Sequence, residues 1–354
     1  MRREQVKMVL NVDDRAAQVL RYIVEDYVAT AEPVGSRTVS KKMGQTLSPA
    51  TIRNIMADLE ELGFLAQPHT SAGRVPTSAG FRFYIDNLLL RRSLMLGEEE
   101  QLKLAAREAG AGDSPDDLVR HMSRLLSRLA CQTSVVIVSS PDQQRLRSVS
   151  LMRASSDKIL MVAVMRSGHV QHRLIVGEPD ITSDDLEKIN AYLNGLAEGL
   201  TLTQLRVKVR SELRREKAKY DRVMQRALNM SVRALDEDAG GEVFVEGRAN
   251  ILDQPEFTED VQRLKRILRA FEEKTVIYRL LDRAMASEAI QVSIGRENSV
   301  EEFDDVSVVA SGYRQGDSAM GSIGLIGPVR MDYSRMIPLV EYTANLLTTL
   351  FGQR

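Results

Sequence analysis

The sequence predicts an α+β protein in which a mostly helical block interrupts a strand-rich domain, with a small helical domain in front of both. Three observations predict this fold class. Apolar residues recur at helical spacing over residues 13–92. Runs of β-branched residues follow between 134 and 176, and strand signals return at 290–326. Residues 182–286, between the two strand regions, are predominantly helical, which is the pattern of a domain that carries an insertion.

The composition is that of an ordinary globular protein. The chain has 354 residues, enough for two or three domains, and is 43% hydrophobic and 27% charged. It has no apolar run long enough to span a membrane and no signal-peptide pattern, so we expect a cytoplasmic protein that does not enter a membrane. The single cysteine, Cys131, excludes an internal disulfide. Because Cys131 lies in an apolar stretch, we expect a buried, unreactive thiol.

The N-terminal helices are predicted first by periodicity and then by their caps. Residues 13–30 form an amphipathic helix, and a break follows at 32–35. Ser36 caps a short helix over 37–43, and a turn at Gly44 leads to a third helix. Two short helices joined by a turn that contains glycine are typical of a helix-turn-helix.

The third helix has a strong start signal. Ser48 is suited to the N-cap, and Pro49 to the first helical position, where a missing N–H costs nothing. Its apolar face is predicted to pack inward and comprises Ile52, Ile55, Met56, Leu59 and Leu62. Gly63 is expected to end the helix. A short strand at 64–66, a polar turn at 67–74 and a strand at Val75 then complete a winged helix-turn-helix, followed by a helix from about 77 to 92.

Charge is segregated within this domain, although the whole chain carries a net charge of −1. Residues 34–57 contain four cations and no acidic residue, and residues 63–85 contain two cations and no acidic residue. A local basic surface of this kind is what phosphate contact requires.

The N-terminal end of the third helix is therefore the candidate base-reading surface, since recognition helices present that end to base edges. The candidate base-reading residues are Ser48, Ala50, Thr51, Arg53 and Asn54. Arginine suits guanine, asparagine suits adenine, and the small apolar groups suit the thymine methyl. The candidate phosphate and wing contacts are Arg37, Lys41, Lys42, His69, Arg74 and Arg82. His69 is as well explained by filling the turn as by DNA contact. For an isolated helix, solvated side chains would be the simpler interpretation; the neighbouring basic helix and wing favour DNA.

The rest of the chain gives predicted elements without a motif. Helices are predicted at 98–109, 114–129, 182–199, 203–236, 259–273, 275–286 and 333–351, and strands at 134–139, 147–153, 159–165, 170–176, 242–246, 290–294, 306–313 and 322–326. The first four strands are predicted to form one antiparallel meander. The segment 206–226 holds nine cations and three acidic residues, which indicates either a second nucleic-acid contact or, more simply, a solvated helix face.

No pattern indicates catalysis, a metal site or a cofactor, so we expect a protein that is not an enzyme. His169 and His172 are three apart in a predicted strand and point to opposite faces, so they cannot share a metal ion. Gly321, Gly324 and Gly327 recur at a spacing of three without the strand-to-helix turn of a phosphate-binding loop, and we interpret them as strand-end glycines.

Three segments carry a resemblance to a known family. LSPATIRNIMADLEELGFLAQPHTSAGRVPTSAGFRFYID (47–86), EGRANILDQPEF (246–257) and IGLIGPVRMDYSRMIPLVEY (323–342) closely resemble the HrcA family of bacterial heat-inducible transcription repressors. Ser78 departs from the family pattern, which has an acidic residue there more often. The resemblance implies a winged-helix domain (1–92), a GAF-like α+β domain in two parts (93–180 and 288–354) and an inserted, mainly helical dimerisation domain (181–287).

The resemblance also implies a function. It implies a homodimer that binds an inverted-repeat operator in double-stranded DNA and represses heat-shock chaperone operons, and whose activity is maintained by the GroEL chaperonin and lost on heat shock. The alternative is a transcription regulator that senses a small molecule through its GAF-like domain, although no charged pocket motif favours it.

Overall fold

The computed structural model describes residues 12–69, 72–90, 92–109, 114–138, 145–155, 158–166, 168, 170–176, 181–215, 242–258, 260–287, 289–298, 300–316 and 318–352. The α+β class is confirmed, and the described residues form two α/β units behind a small N-terminal domain.

The N-terminal domain, here called the winged domain (residues 12–90), contains three helices, a two-stranded antiparallel hairpin and a fourth helix, in the order of a winged helix-turn-helix. Its elements are α1 (Asp14–Thr30), α2 (Ser36–Lys42), α3 (Pro49–Glu61), β1 (Leu65–Ala66), β2 (Val75–Pro76) and α4 (Ser78–Phe83), which continues into a π-helical turn (Tyr84–Leu88). The helix predicted to reach residue 92 therefore ends at Leu88, where the backbone becomes extended.

The start of α3 is as predicted. The Ser48 hydroxyl accepts the Thr51 N–H at 3.1 Å, and Pro49 occupies the first turn. Ile52 and Leu59 are fully buried on the inner side. Gly63 follows the helix with a φ of +77°, a conformation that favours glycine. The sequence thus determines both ends of α3 locally.

The wing is tied to the connection between α1 and α2. Val34 and Arg74 exchange backbone hydrogen bonds of 2.8 and 2.9 Å. A Cβ on Gly73 would lie 2.4 Å from the Val34 carbonyl oxygen, so only glycine permits this close approach. The base of the wing is consequently fixed against the entrance to α2.

The remaining elements divide between two sheets. In chain order they are α5 (Leu96–Ala109), α6 (Pro115–Ala130), β3 (Thr133–Val138), β4 (Leu146–Arg153), β5 (Lys158–Met165), β6 (Val170–Val176), α7 (Ser183–Ala197), α8 (Leu202–Arg215), β7 (Val243–Glu246), α9 (Pro255–Thr258), α10 (Val261–Ala270), α11 (Lys274–Ala286), β8 (Gln291–Ile294), β9 (Val306–Gln315), β10 (Ser318–Pro328) and α12 (Tyr333–Gly352), with short 3-10 turns at Arg248–Ile251, Gly295–Asn298 and Glu301–Phe303.

A five-stranded antiparallel sheet organises what we call the core domain, with strand order β7-β3-β10-β9-β8. Successive residues of β3 face opposite layers: Val136 packs with α6 and α12, whereas Ile137 packs with α10 and α11. This alternation is that of a strand buried on both faces. The layer on the α6 and α12 side is continuous with the apolar core of the winged domain.

A separate three-stranded sheet, β4-β5-β6, has its own apolar core with α7 and α8. The antiparallel order of these three strands is as predicted, but the prediction that β3 joins them is wrong, because β3 pairs with β7 and β10. The predicted boundary at residues 180 and 181 divides the core that β4–β6 share with α7 and α8. Conversely, α10 and α11, predicted to belong to the insertion, pack on the five-stranded sheet. Periodicity shows which helix face is apolar, but not which sheet receives it.

Two residue-level expectations also change. Cys131 is exposed, not buried, because it ends α6 in a left-handed conformation (φ +51°) that turns the chain outward. Gly321 and Gly324 lie within β10, whereas Gly327 is next to its last residue, as expected of a strand-end glycine; a Cβ on Gly321 would lie 2.4 Å from the Tyr313 hydroxyl. Only 202–215 of the predicted helix at 203–236 is described, as α8; residues 216–241 and His169 lie outside the described residues.

Candidate nucleic-acid interface

The N-terminal half of α3 presents its polar residues to solvent. All five candidate base-reading residues are exposed, while Ile52, Met56 and Leu59 pack inward. The inward face anchors the helix on α1 and α2, so the outward face has a fixed direction. These five positions thus share one exposed surface, as their spacing predicts, while their contact with DNA stays a prediction.

Two of the five side chains interact with each other at the start of α3. The Ser48 and Thr51 hydroxyls are 2.9 Å apart, and Ser48 also accepts the Thr51 backbone N–H. Arg53 and Asn54 have no side-chain partner among the described residues. Their donor and acceptor groups are therefore the ones available for bidentate contact with a base edge.

Two clefts border this helix end and share Arg37. One, of about 500 Å³, lies between α3 and the wing and is lined by Arg37, Arg53, Gln67 and Gly73, among others. The other, of about 430 Å³, lies between α2 and the start of α3 and includes Arg37, Lys41, Gln45 and Ser48. Sequence reasoning missed Gln45 and Gln67; the positive φ of Gln45 (+60°), which places it at the cleft, has no signal in the sequence.

Three cations remain unpaired at this surface. Arg37, Lys41 and Arg53 are exposed and form no ion pair within the described parts of the chain. The surrounding segment 34–57 contains no acidic residue, so no local charge offsets them. A phosphate that approaches α3 therefore meets an uncompensated positive surface.

Two predicted phosphate contacts are instead held by acidic neighbours. Lys42 forms an ion pair with Asp26 of α1, a carboxylate that is 8% exposed. Arg74 forms an ion pair with Glu60, with Nε and Oε2 2.7 Å apart, and its side chain is 20% exposed. Both partners are more than ten residues away in the chain, so spacing gives no sign of them. Each of the two cations would have to leave its carboxylate to bind a phosphate, and their contact with DNA stays a prediction.

Arg82 is engaged more extensively than Lys42 or Arg74. Its guanidinium contacts Glu297 with both Nε and Nη2, and Nη2 donates to the Val292 carbonyl at 2.6 Å. Both partners belong to the core domain, so Arg82 lies at the junction between domains. Burial favours its neutral form, but the Glu297 carboxylate outweighs this and raises the pKa of Arg82. A guanidinium engaged in this way would have to leave Glu297 to bind a phosphate, and contact between Arg82 and DNA stays a prediction.

His69 is exposed in the wing turn, where its carbonyl accepts the Ala72 N–H at 2.9 Å. Both interpretations of this residue stay predictions. Elsewhere in the described residues, no helix is long and apolar enough to cross a membrane. Within the same residues, no group of three or more His, Cys, Asp and Glu side chains is arranged to hold a metal ion.

The chain is similar to a named family over nearly its whole length. The HrcA protein C terminal domain matches residues 116–337. The heat-inducible transcription repressor HrcA of Syntrophobacter fumaroxidans is 44% identical over 347 residues, which is 97% of this chain and 98% of the relative. The protein of the same name from Geobacter sulfurreducens is 41% identical over 340 residues, 96% and 98% of the two chains.

One solved structure shows the same fold. The crystal structure of a hypothetical protein, 24% identical, aligns with a TM-score of 0.58 over 97% of this chain and 99% of that chain. That likeness concerns the fold alone, whereas the sequence relatives extend from the winged domain through α12. The chain belongs to the HrcA family of heat-inducible transcription repressors.

Proposed function

We propose that this chain represses heat-shock chaperone operons by binding, as a homodimer, an inverted-repeat operator in double-stranded DNA. The observation that carries the proposal is the exposed N-terminal end of α3, where Arg53 and Asn54 are unpaired next to two basic clefts. Arg53 would read guanine and Asn54 adenine, while Arg37 and Lys41 would contact the flanking phosphates.

The homodimer has a candidate surface on the three-stranded sheet. Its inner face packs on α7 and α8, whereas a cross-strand row of Met152, Leu160 and Leu174 lies on the outer face. Met152, Val170 and Leu174 are each about half exposed, at 47%, 51% and 52%. An apolar sheet face of this kind is suited to a second copy of the same chain, since a twofold axis would bury both faces at once.

The domain division follows the packing. We propose a DNA-binding domain at 1–92 and a GAF-like core domain that holds β3, β7–β10 and their helices. The dimerisation insertion then lies between β3 and β7, and the alternative division at 181–287 would separate α7 from its own sheet.

The role of the GroEL chaperonin rests on the family resemblance. GroEL added to dilute repressor is expected to raise the fraction of protein bound to operator, and an excess of unfolded client protein is expected to cancel that gain. Operator binding that is unaffected by either addition would contradict this part of the proposal.

The DNA-binding test uses the inverted repeat that the wild-type protein selects from a random duplex library, and a scrambled duplex of equal composition. Arg53→Ala and Asn54→Ala should each lose about 1–3 kcal/mol of discrimination between the two duplexes per bidentate contact removed. Arg269→Ala, an exposed arginine on α10, is the matched control and should keep wild-type discrimination. If both variants at α3 discriminate as well as the control, the assignment of base-reading residues is wrong.

A further inference from the structure

Arg82 joins the winged domain to the core domain through a forked contact. Nε donates to Oε1 of Glu297 at 3.0 Å, and Nη2 contacts the second carboxylate oxygen and the Val292 carbonyl. Two parallel bonds between a guanidinium and a carboxylate fix an angle as well as a distance. The contact therefore constrains the direction of α4 relative to β8.

The core side of this contact is itself rigidly built. Oε2 of Glu297 also accepts the Ile294 N–H at 2.9 Å, which fixes the carboxylate on its own turn. In that turn Gly295 has a φ of +57°, and a Cβ there would lie 3.1 Å from the Ser78 hydroxyl and 2.9 Å from the Asp304 carbonyl oxygen. The two domains are thus in close contact where Arg82 crosses between them.

Two further contacts hold the same pair of domains. The ring of Phe81 lies 6.0 Å from that of Tyr333, which is fully buried in the core domain. Arg330 forms an ion pair with Glu256, and its Nη1 is 3.4 Å from the Val28 carbonyl oxygen of α1. Apolar contact resists separation but is not directional, whereas the arginine contacts are.

Two cavities lined by residues of both domains open along this contact. One cavity, of about 540 Å³, is lined by Ser78, Arg82, Asp86, Glu297 and other residues. The other, of about 670 Å³, lies between α1 and the start of α12. The apolar core that the two domains share is not directional, so the tilt of the winged domain depends on directional contacts such as that of Arg82 with Glu297.

We propose that Arg82 and Glu297 are positioning residues that set the orientation of α3 on the core domain. This orientation sets the spacing between the two copies of α3 in a dimer, and so the half-site separation that the dimer prefers. The proposal rests on the proposed function. It assigns Glu297, and not a DNA phosphate, as the partner of Arg82. It places Arg82 away from the nucleic acid, so Arg82 acts on half-site spacing and not on the affinity of one winged domain for one half-site.

The DNA experiment compares the selected inverted repeat, the same repeat with five base pairs inserted at its centre, and a duplex with one half-site. Five base pairs are about half a helical turn and move the second half-site to the opposite side of the duplex. In the wild type this insertion should remove most of the roughly 10²–10⁴-fold gain from engaging both half-sites. In Arg82→Ala and Glu297→Ala the ratio between native and inserted repeat should fall at least several-fold, with half-site affinity unchanged.

The double variant and a neighbouring arginine complete the DNA experiment. If the two residues act through each other, Arg82→Ala combined with Glu297→Ala should be no worse than either single variant. Arg296→Ala removes the same charge from an arginine that is 93% exposed in the adjacent position, and it should keep the wild-type ratio. Weakened half-site binding in Arg82→Ala, with the spacing ratio preserved, would mean that Arg82 touches DNA, and would overturn the proposal.

A measurement without DNA separates this proposal from the proposed function. Cys131 is exposed on the core domain and is the single cysteine of the chain, so a second cysteine at the exposed Ala57 of α3 gives one pair of spin labels per chain. Labelled protein is diluted with unlabelled protein so that distances within one chain are read. Arg82→Ala should broaden the distance distribution and Arg296→Ala should not. A narrow distribution in Arg82→Ala overturns the positioning role, whatever the DNA experiment shows; a broad one supports it even if no duplex is bound.

Discussion

At the scale of single residues, the decisive difference among the cations of the winged domain is whether an acidic side chain already engages them. Arg37, Lys41 and Arg53 have no such neighbour in the described part of the chain. Lys42 and Arg74 do. When an unpaired, solvated cation binds a phosphate, it displaces counterions from the DNA. A cation that is already paired must first separate from its carboxylate.

Lys41 and Lys42 form a matched pair for testing this difference. They are adjacent on α2 and equal in charge, but only Lys42 contacts Asp26. We expect Lys41→Ala to weaken binding to all duplexes and to reduce the slope of log affinity against log salt by about 1. Lys42→Ala should change the slope less. Fluorescence anisotropy titrations between about 50 and 200 mM salt measure both slopes. Equal slopes for the two variants would contradict the distinction.

The Arg82–Glu297 pair gives a pH prediction. Burial alone would raise the pKa of Glu297, but hydrogen bonds from Arg82 and the Ile294 N–H outweigh it and lower this pKa below its usual 4.5. The contribution to stability is therefore complete above about pH 4.5 and is lost as the pH falls through the lower pKa of the folded state. Glu297→Gln should thus melt below the wild type near neutral pH, and the difference between the two melting temperatures should close as the pH falls through the pKa of Glu297 in the folded state. A gap that stays constant in thermal unfolding would exclude the ion pair as its cause.

Some of these residue-level facts were accessible from the sequence and some were not. Exposure of Arg53 and Asn54 followed from helical spacing, because the opposite face is apolar. The partners of Lys42, Arg74 and Arg82 were not predictable, because each lies far along the chain: Glu297 is 215 residues from Arg82. Counting charges along the sequence therefore identifies the cations available to DNA only where no acidic side chain from elsewhere in the fold pairs with them.

At the scale of elements, local chemistry determines where helices begin. Ser48-Pro49 and Ser114-Pro115 are the same start signal, and both serines cap their helices, with hydroxyls 3.1 and 3.2 Å from the N–H groups of Thr51 and Asp117. These starts were predicted because every atom involved lies within four residues. Sheet membership was not predicted. β3 is a nearly continuous apolar run and β4 alternates, but neither pattern identifies the partner strand, and β3 joins the five-stranded sheet whereas β4 begins another.

The two serine caps give a prediction with an internal control. Ser48→Ala and Ser114→Ala should each lower the free energy of unfolding by about 1 kcal/mol, since each leaves one N–H at a helix start without its cap. Only Ser48→Ala should also weaken operator binding, because α3 carries the candidate base-reading residues and α6 does not. Chemical denaturation and duplex titration measure the two effects. Equal operator affinity in both variants would argue against a role for the α3 cap in recognition.

At the scale of the whole molecule, the described residues form two separate apolar cores, and the proposed function assigns a different task to each. The winged domain and the core domain share one continuous apolar core, so DNA recognition is coupled to the five-stranded sheet. The three-stranded sheet with α7 and α8 has an independent core. Under the proposed function, a surface change on the three-stranded sheet is therefore expected to alter association between chains without disturbing the fold of the winged domain.

Leu174→Glu tests that separation. The substitution places a carboxylate in the apolar row with Met152 and Leu160, where burial against a second copy would leave the charge unpaired. We expect monomers in sedimentation velocity, unchanged affinity for one half-site, and loss of most of the roughly 10²–10⁴-fold gain on the inverted repeat. Lys188→Glu, an exposed change on α7 across the sheet, should stay dimeric and bind like the wild type. A Leu174→Glu protein that remains dimeric would place the interface elsewhere, whereas a monomer with undiminished affinity for the inverted repeat would show that linkage of two half-sites is not how this repressor gains its affinity.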